Sequence, residues 1–265
     1  MDEATSMYQS RAPLPSQRLR DRRILVTGAG RGIGAAVADA YAAEGARVVG
    51  FDLSFGVGSS SDARFEQVVC DVSNPSSVAA EFRHVGERLG GLDVLVNAAG
   101  VERSSPAEQI TPEDWDLMLD VNAKGTFLTN NAALGLMRQS GGHIVNFGSA
   151  AGMDPYPGGA HYSAAKGALM AWSRTVAREW GRFGVRVNVV VPSIWTPMYD
   201  EHRARMAVDE LAEHDRMKAA QISLGGKQGD MENDLLPVMV FLATEDCRFI
   251  TGQIIAVNGG FSMVR

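Results

Sequence analysis

Short, continuous apolar runs alternate along this chain with longer segments of helical periodicity. Ile24 to Thr27, Arg47 to Phe51, Phe65 to Cys70, Val94 to Val96, His143 to Phe147, Val185 to Val191 and Ile254 to Val257 are brief and rich in β-branched residues, the pattern of strands buried on both faces. Between them, Ile33 to Glu44 is Ala-rich and closed by Gly45, a second helix opens at Asn74-Pro75, and long helices are predicted over about residues 111–138 and 161–181. Strands separated by helices predict an α/β fold: one doubly wound, seven-stranded parallel sheet of Rossmann type over residues 21–265. Residues 1–20 carry Ser, Pro, Gln and Arg without an apolar run and read as an N-terminal tail. Residues 194–228 leave the strand pattern, and Trp195, Met198, Tyr199, Met206, Leu211, Met217 and Ile222 interleave there with charges. One or two amphipathic helices are expected in that segment, either packed on the core or closing over a pocket as a small lid.

Composition narrows the function classes. With 265 residues and 45% hydrophobic content the chain can bury a single large core, and a net charge of -6 argues against a nucleic-acid backbone as ligand. Cys70 and Cys247 have no paired spacing, which removes a disulfide framework or a cysteine metal site and fits a reducing compartment. No run approaches the roughly 20 apolar residues of a membrane span, so a cytoplasmic protein is expected. His84, His143, His161, His202 and His214 lack the spacing of metal ligands, and no metal is expected.

Candidate chemistry begins where the first strand hands over to the first helix. The cluster Thr27-Gly28-Ala29-Gly30-Arg31-Gly32-Ile33-Gly34 allows a tight turn and brings free N–H groups and the positive helix end close to a pyrophosphate. Asp52, at the end of the second strand, is placed to accept the ribose hydroxyls of an adenosine half. A 2′-phosphate about 4 Å from that carboxylate would be repelled by roughly 4 kcal/mol at an effective dielectric near 20, so NAD is expected over NADP. Arg31 is the counter-signal, since its guanidinium reaches a 2′-phosphate if Asp52 turns away.

Tyr162 and Lys166 stand one helical turn apart on one face at the start of a helix. A free tyrosine is only about 0.1% ionised at pH 7, and lowering its pKa by three units takes roughly 4 kcal/mol. The Lys166 ammonium and the positive ring of an oxidised nicotinamide would both favour the phenolate. Ser149 follows the strand that ends in Asn146-Phe147-Gly148, at the carboxyl edge where such sheets bind ligands, and its hydroxyl can bond a substrate oxygen.

These residues resemble the short-chain dehydrogenase/reductase family in its single-domain branch, over about residues 21–262. The resemblance rests on Thr27-Gly28-x-x-x-Gly32-x-Gly34, Asp71, Asn97-Ala98-Ala99-Gly100, Asn122 within Val-Asn-Ala-Lys-Gly, Ser149, and Tyr162-x-x-x-Lys166, in that order. It implies Tyr162 as general acid/base, Lys166 lowering the phenol pKa and holding the nicotinamide ribose, and Ser149 orienting the substrate oxygen. Asn122 is implied at a helix kink, holding a water in a proton relay through Lys166. Asp71 would bond the adenine amino group, Asn97 and Gly100 would line the adenosine ribose side, and Ile33, Val72 and Ala98 join the cofactor-binding set. Beyond the sixth strand the family usually carries Pro-Gly with a Thr five residues after the Pro, whereas Pro192-Ser193-Ile194-Trp195-Thr196 is one residue shorter. Ile194 and Thr196 are still expected at the nicotinamide carboxamide.

The implied reaction is hydride transfer between a nicotinamide and a secondary alcohol or ketone. Met153, Tyr156, Trp195, Met198 and Tyr199 are expected to rim an apolar pocket suited to a cyclic or aromatic substrate, whereas His202, Arg203 and Arg205 would favour an acidic one. An NADP-dependent ketone or ketoacyl reductase is the rival enzyme, and a non-catalytic dinucleotide-binding regulator the rival outside catalysis. Apolar and aromatic residues along both long helices, including Trp115, Phe127 and Trp172, predict a homotetramer paired through residues 111–138 and 161–181.

Overall fold

The computed structural model describes residues 17–56, 64–196, 199–200 and 203–263. The seven apolar runs are strands: β1 (Arg23–Thr27), β2 (Arg47–Asp52), β3 (Glu66–Val69), β4 (Val94–Asn97), β5 (Gly142–Phe147), β6 (Val185–Pro192) and β7 (Ile254–Val257). They form one parallel sheet in the order β3-β2-β1-β4-β5-β6-β7. After β3 the chain crosses back to pair β4 on the far side of β1, and this reversal of direction opens a crevice at the carboxyl ends of the two strands.

Alternate side chains of each strand feed two cores. Ile24, Val26, Val96 and Val145 pack under α1 (Gly32–Ala43) and the C-terminal helix Leu236–Ala243. Leu25, Leu95 and Ile144 face α2 (Pro75–Leu89), the helix Gly125–Met137 and the helix Ala160–Trp180. Asn74 starts α2 by accepting from the backbone N–H groups of Ser76 and Ser77, and Gly90 ends it in the left-handed conformation.

The helix predicted over residues 111–138 is interrupted. It divides into α3 (Pro112–Met118), a π-turn (Leu119–Lys124) and α4 (Gly125–Met137). Inside the π-turn the Asn122 amide donates to the carbonyls of Met118 at 3.0 Å and Val101 at 2.9 Å, so a side chain enters the helix's own ladder. The next helix, α5 (Ala160–Trp180), matches its predicted extent. In the lid segment α6 (Val208–Gln221) has no buried residue, while α7 (Leu236–Ala243) returns to the core. Met198 and His202 lie outside the described residues. Among the described residues no helix is long and apolar enough to cross a membrane.

Thr27, Asn97 and Asn146 are register partners on β1, β4 and β5, and they form a buried polar row at the carboxyl edge of the sheet. Asn97 donates to Asn130 Oδ1 at 2.7 Å and Asn146 Oδ1 at 2.8 Å, and its own Oδ1 accepts from Thr129 at 2.8 Å. Asn146 in turn donates to Ser173 of α5 at 2.9 Å, so the row ties three strands to two helices.

Two stability predictions follow from this packing. Asn97→Ala strips partners from several buried groups at once and is expected to cost about 3 kcal/mol in urea unfolding, a cost near zero being the contrary result. A Cβ on Gly34 would sit 2.1 Å from the Gly28 carbonyl oxygen, whereas one on Gly32 meets nothing within 4 Å and is strained only by its φ of +60. Gly34→Ala should therefore destabilise by about 3 kcal/mol or more. Gly32→Ala should cost about 1–2 kcal/mol, and the same unfolding curves would show a reversed order.

Candidate active site

Three segments meet at the carboxyl edge of the sheet: the end of β5, the first turns of α5, and the chain leaving β4. Past β5, Ser149 caps the short 3₁₀ turn Ala150–Gly152, its hydroxyl accepting from Ala151 N at 3.2 Å. Tyr162 lies in the first turn of α5 and Lys166 one turn later on the same face, with Nζ 5.6 Å from the centre of the phenol ring. Lys166 donates to the Phe147 carbonyl at 2.9 Å, which fixes α5 against the strand that carries Ser149. The Ser149 hydroxyl also acts on the Tyr162 phenol, in the direction that favours its ionised form. A Cβ on Gly100 would lie 2.8 Å from Asn122 Oδ1 and 3.7 Å from Lys166 Nζ, so a glycine there lets Asn122 and Lys166 flank the strand end closely. The four residues expected to react are brought together.

The protein's own groups do not make the phenol acidic. Burial pushes Tyr162 up to about 12, the Glu102 carboxylate pushes in the same direction, and the Ser149 hydroxyl pulls back. Burial also brings Lys166 down to about 8, against a smaller upward pull from Glu102. The expectation that Lys166 acidifies Tyr162 therefore finds no support in the chain's charges alone, because the ammonium is turned to the Phe147 carbonyl and its own charge is weakened by desolvation.

The glycine turn fits an anion. Arg31, at the N-cap of α1, makes no side-chain capping bond, and the first turn holds no acidic residue, so the helix's N–H groups are left for a ligand. Asp52 Oδ2 accepts from Gly30 N at 2.8 Å and Oδ1 from Ser54 N at 3.3 Å, which holds the carboxylate toward the turn. A Cβ on Gly30 would fall 2.4 Å from the Ser54 carbonyl oxygen and 2.8 Å from Asp52 Cγ, so this approach needs glycine. Arg31 is exposed and forms no ion pair among the described residues. Gly28 packs on the backbone of Ala98 and Ala99, and Ile33 lies half-buried against the core.

Other expected cofactor residues divide into free and committed groups. Asp71 Oδ1 accepts from Ser73 N at 2.9 Å and Ser73 Oγ at 2.7 Å, and Val72 is buried against Gly125. The Asn97 side chain is turned into the polar row beneath the site, so its contribution to a ligand is limited to backbone. After Pro192, Trp195 N donates to Gly229 O at 2.9 Å and Gly229 N to Ser193 O at 3.0 Å, a bridge that leaves the amide and carbonyl of Ile194 unused. Thr196 Oγ1 accepts from Tyr199 N at 3.3 Å.

The residues expected to rim the substrate pocket separate in two. Met153 and Tyr156 line a cavity of about 700 Å³ together with Ala150, Arg174, Gln221 and Phe261, and Ser149, Tyr162 and Lys166 are not among its walls. Trp195 and Tyr199 are not among its walls; they meet edge to face at 5.1 Å with the Arg203 guanidinium 4.9 Å over the indole. Arg203 is itself paired with Asp215, so it is no free cation for an acidic substrate. Sequence reasoning missed Glu102, which hydrogen-bonds Tyr156 and acts on both Tyr162 and Lys166. Its only signal was an acidic residue just past the glycine that ends the β4 loop motif.

Comparison with known proteins agrees with this arrangement. A family model described as enoyl-(acyl carrier protein) reductase matches residues 28–262. The short-chain reductase protein NovJ of Streptomyces niveus is 36% identical over 89% of this chain and 92% of its own length. Levodione reductase of Leifsonia aquatica is 32% identical over 94% of this chain and 97% of its own. The solved structure of an aldohexose dehydrogenase from Thermoplasma acidophilum superposes with a TM-score of 0.84 at 27% identity, covering 95% of this chain and 98% of that one. The chain thus belongs to the short-chain dehydrogenase/reductase family, and is an NAD(P)-dependent oxidoreductase of the alcohol dehydrogenase and ketone reductase kind.

Proposed function

We propose that this enzyme is an NAD-preferring dehydrogenase of a neutral secondary alcohol, with Tyr162 as its acid/base. The observation that carries the cofactor preference is the Asp52 carboxylate, held toward the glycine turn by Gly30 and Ser54. In that position it accepts ribose hydroxyls and repels a 2′-phosphate, and the exposed Arg31 has no opening made for it. The turn from Gly28 to Gly34 would hold the pyrophosphate, Asp71 the adenine, Lys166 the nicotinamide ribose, and Ile194 and Thr196 the carboxamide.

A bound oxidised nicotinamide supplies the hydride acceptor and a positive charge beside the phenol. Tyr162 takes the hydroxyl proton of the alcohol, and Ser149 donates to the substrate oxygen as charge shifts there. Lys166 and Asn122 stand behind Tyr162 as the route by which the proton leaves. The Tyr156 ring, edge-on to Tyr162 at 6.3 Å, supports a cyclic carbon skeleton, and relatives named for levodione and aldohexose activities support a small alcohol or ketone. Two buried free thiols, Cys70 and Cys247, support a reducing compartment such as the cytoplasm. Trp115 and Phe127 remain exposed on α3 and α4, which supports pairing of these helices in a homotetramer.

Initial rates should give kcat/KM at least about tenfold higher with NAD than with NADP, and Asp52→Ala should narrow the gap; equal use in the native enzyme would overturn the preference. Tyr162→Phe should lower kcat by about a thousandfold, and unchanged turnover would remove the proposed mechanism. Because burial and Glu102 hold the phenol protonated, alcohol oxidation should rise with pH and ketone reduction fall, read from pH profiles of kcat/KM.

A further inference from the structure

The loop leaving β4 and the loop between Ser149 and α5 clasp each other beside the phenol. The Tyr156 hydroxyl donates to Glu102 Oε1, and Ser105 N donates to Gly158 O at 2.7 Å. The Tyr156 ring stands edge-on to the Tyr162 ring with centroids 6.3 Å apart. A Cβ on Gly159 would lie 2.2 Å from Tyr156 Cδ1, so the ring folds back over its own loop and is held there.

The backbone around Glu102 is anchored on both sides. Val101 donates to Asn122 Oδ1 at 3.3 Å and accepts from Asn122 Nδ2 at 2.9 Å, while Arg103 pairs with Asp114 of α3. Glu102 itself forms no ion pair among the described residues, and its second carboxylate oxygen accepts from no donor there. Lys166, the cation behind the phenol, gives one of its N–H groups to the Phe147 carbonyl. An anchored, exposed carboxylate with one oxygen free of protein donors therefore stands against Tyr156, whose ring meets that of Tyr162.

We propose that Glu102 is a specificity-determining residue: its free oxygen accepts a second hydroxyl carried near the reacting carbinol, so the enzyme selects neutral polyhydroxylated alcohols and turns away those bearing a carboxylate or phosphate at that position. A hydroxyl donating to an ionised acceptor makes a strong, directional bond. A substrate skeleton without that hydroxyl gives the second oxygen no donor, and an anionic group placed there meets like charge at closer range than the Lys166 ammonium behind the phenol. This inference rests on the reading of the chain as an alcohol dehydrogenase that works through Tyr162.

The test uses cyclohexanol, its vicinal diol and 2-hydroxycyclohexanecarboxylate as a matched set, with kcat/KM measured for the native enzyme, Glu102→Gln and Glu102→Ala. In the native enzyme the diol should exceed cyclohexanol by at least about tenfold and the carboxylate should fall at least about tenfold below it. Glu102→Ala should bring the diol to within about twofold of cyclohexanol, and Glu102→Gln should raise the carboxylate at least about tenfold relative to cyclohexanol. A merely structural role for Glu102 would lower all three together, and that outcome, like unchanged ratios, overturns the inference alone. Failure of the native enzyme to oxidise any of the three with NAD or NADP would overturn the dehydrogenase reading and this inference with it.

Discussion

The carboxyl ends of β1, β4 and β5 are held level by one row of buried side chains, Thr27, Asn97 and Asn146, and the binding and reacting groups stand within a few residues of that row. Thr27 opens the glycine turn, Asn97 opens the loop that carries Gly100 and Glu102, and Asn146 precedes Ser149. A buried amide that loses its partners costs more than a mispacked methyl group, so the row resists any slip of one strand past the next. Relative strand height therefore becomes relative position of cofactor turn, substrate loop and phenol. The contact from Asn146 to Ser173 extends the same constraint to α5, which carries Tyr162 and Lys166.

Within that frame burial disfavours the charged form of both reacting groups. It pushes the Tyr162 phenol up to about 12 and the Lys166 ammonium down to about 8. Glu102 acts on both, since its carboxylate disfavours the phenolate and favours the ammonium. A group that works against acidification of the phenol while standing at the substrate's entrance is better explained by recognition than by proton transfer.

Periodicity alone made the sheet legible: every one of the seven apolar runs became a strand, because a β-branched segment buried on both faces admits few other solutions. Tyr162 and Lys166 were legible because helical spacing places them on one face whatever surrounds the helix. The resemblance implied a kink at Asn122, and the π-turn stands there. What escaped depends on contacts between segments far apart in the chain. The Glu102–Tyr156 bond joins two loops, and no pattern local to either announces it. The Asn97 amide faces the core, a choice decided by partners on β5 and α4 that the motif does not name. The aromatic rim was read from composition, which could not show that Trp195 and Tyr199 meet edge to face.

The π-turn between α3 and α4 has a cost in tolerance to length changes. Such a turn accommodates one residue more than an ordinary helical turn of the same rise, and the surplus is spent on letting the Asn122 amide reach Val101. Removing a single residue there would restore regular winding and keep the downstream helix in phase with Thr129 and Asn130 still on the polar row, but it would take from the Asn122 amide its reach to Val101. Substitutions on the solvent side of this segment can accumulate freely, but its residue count is as constrained as any side chain in the site.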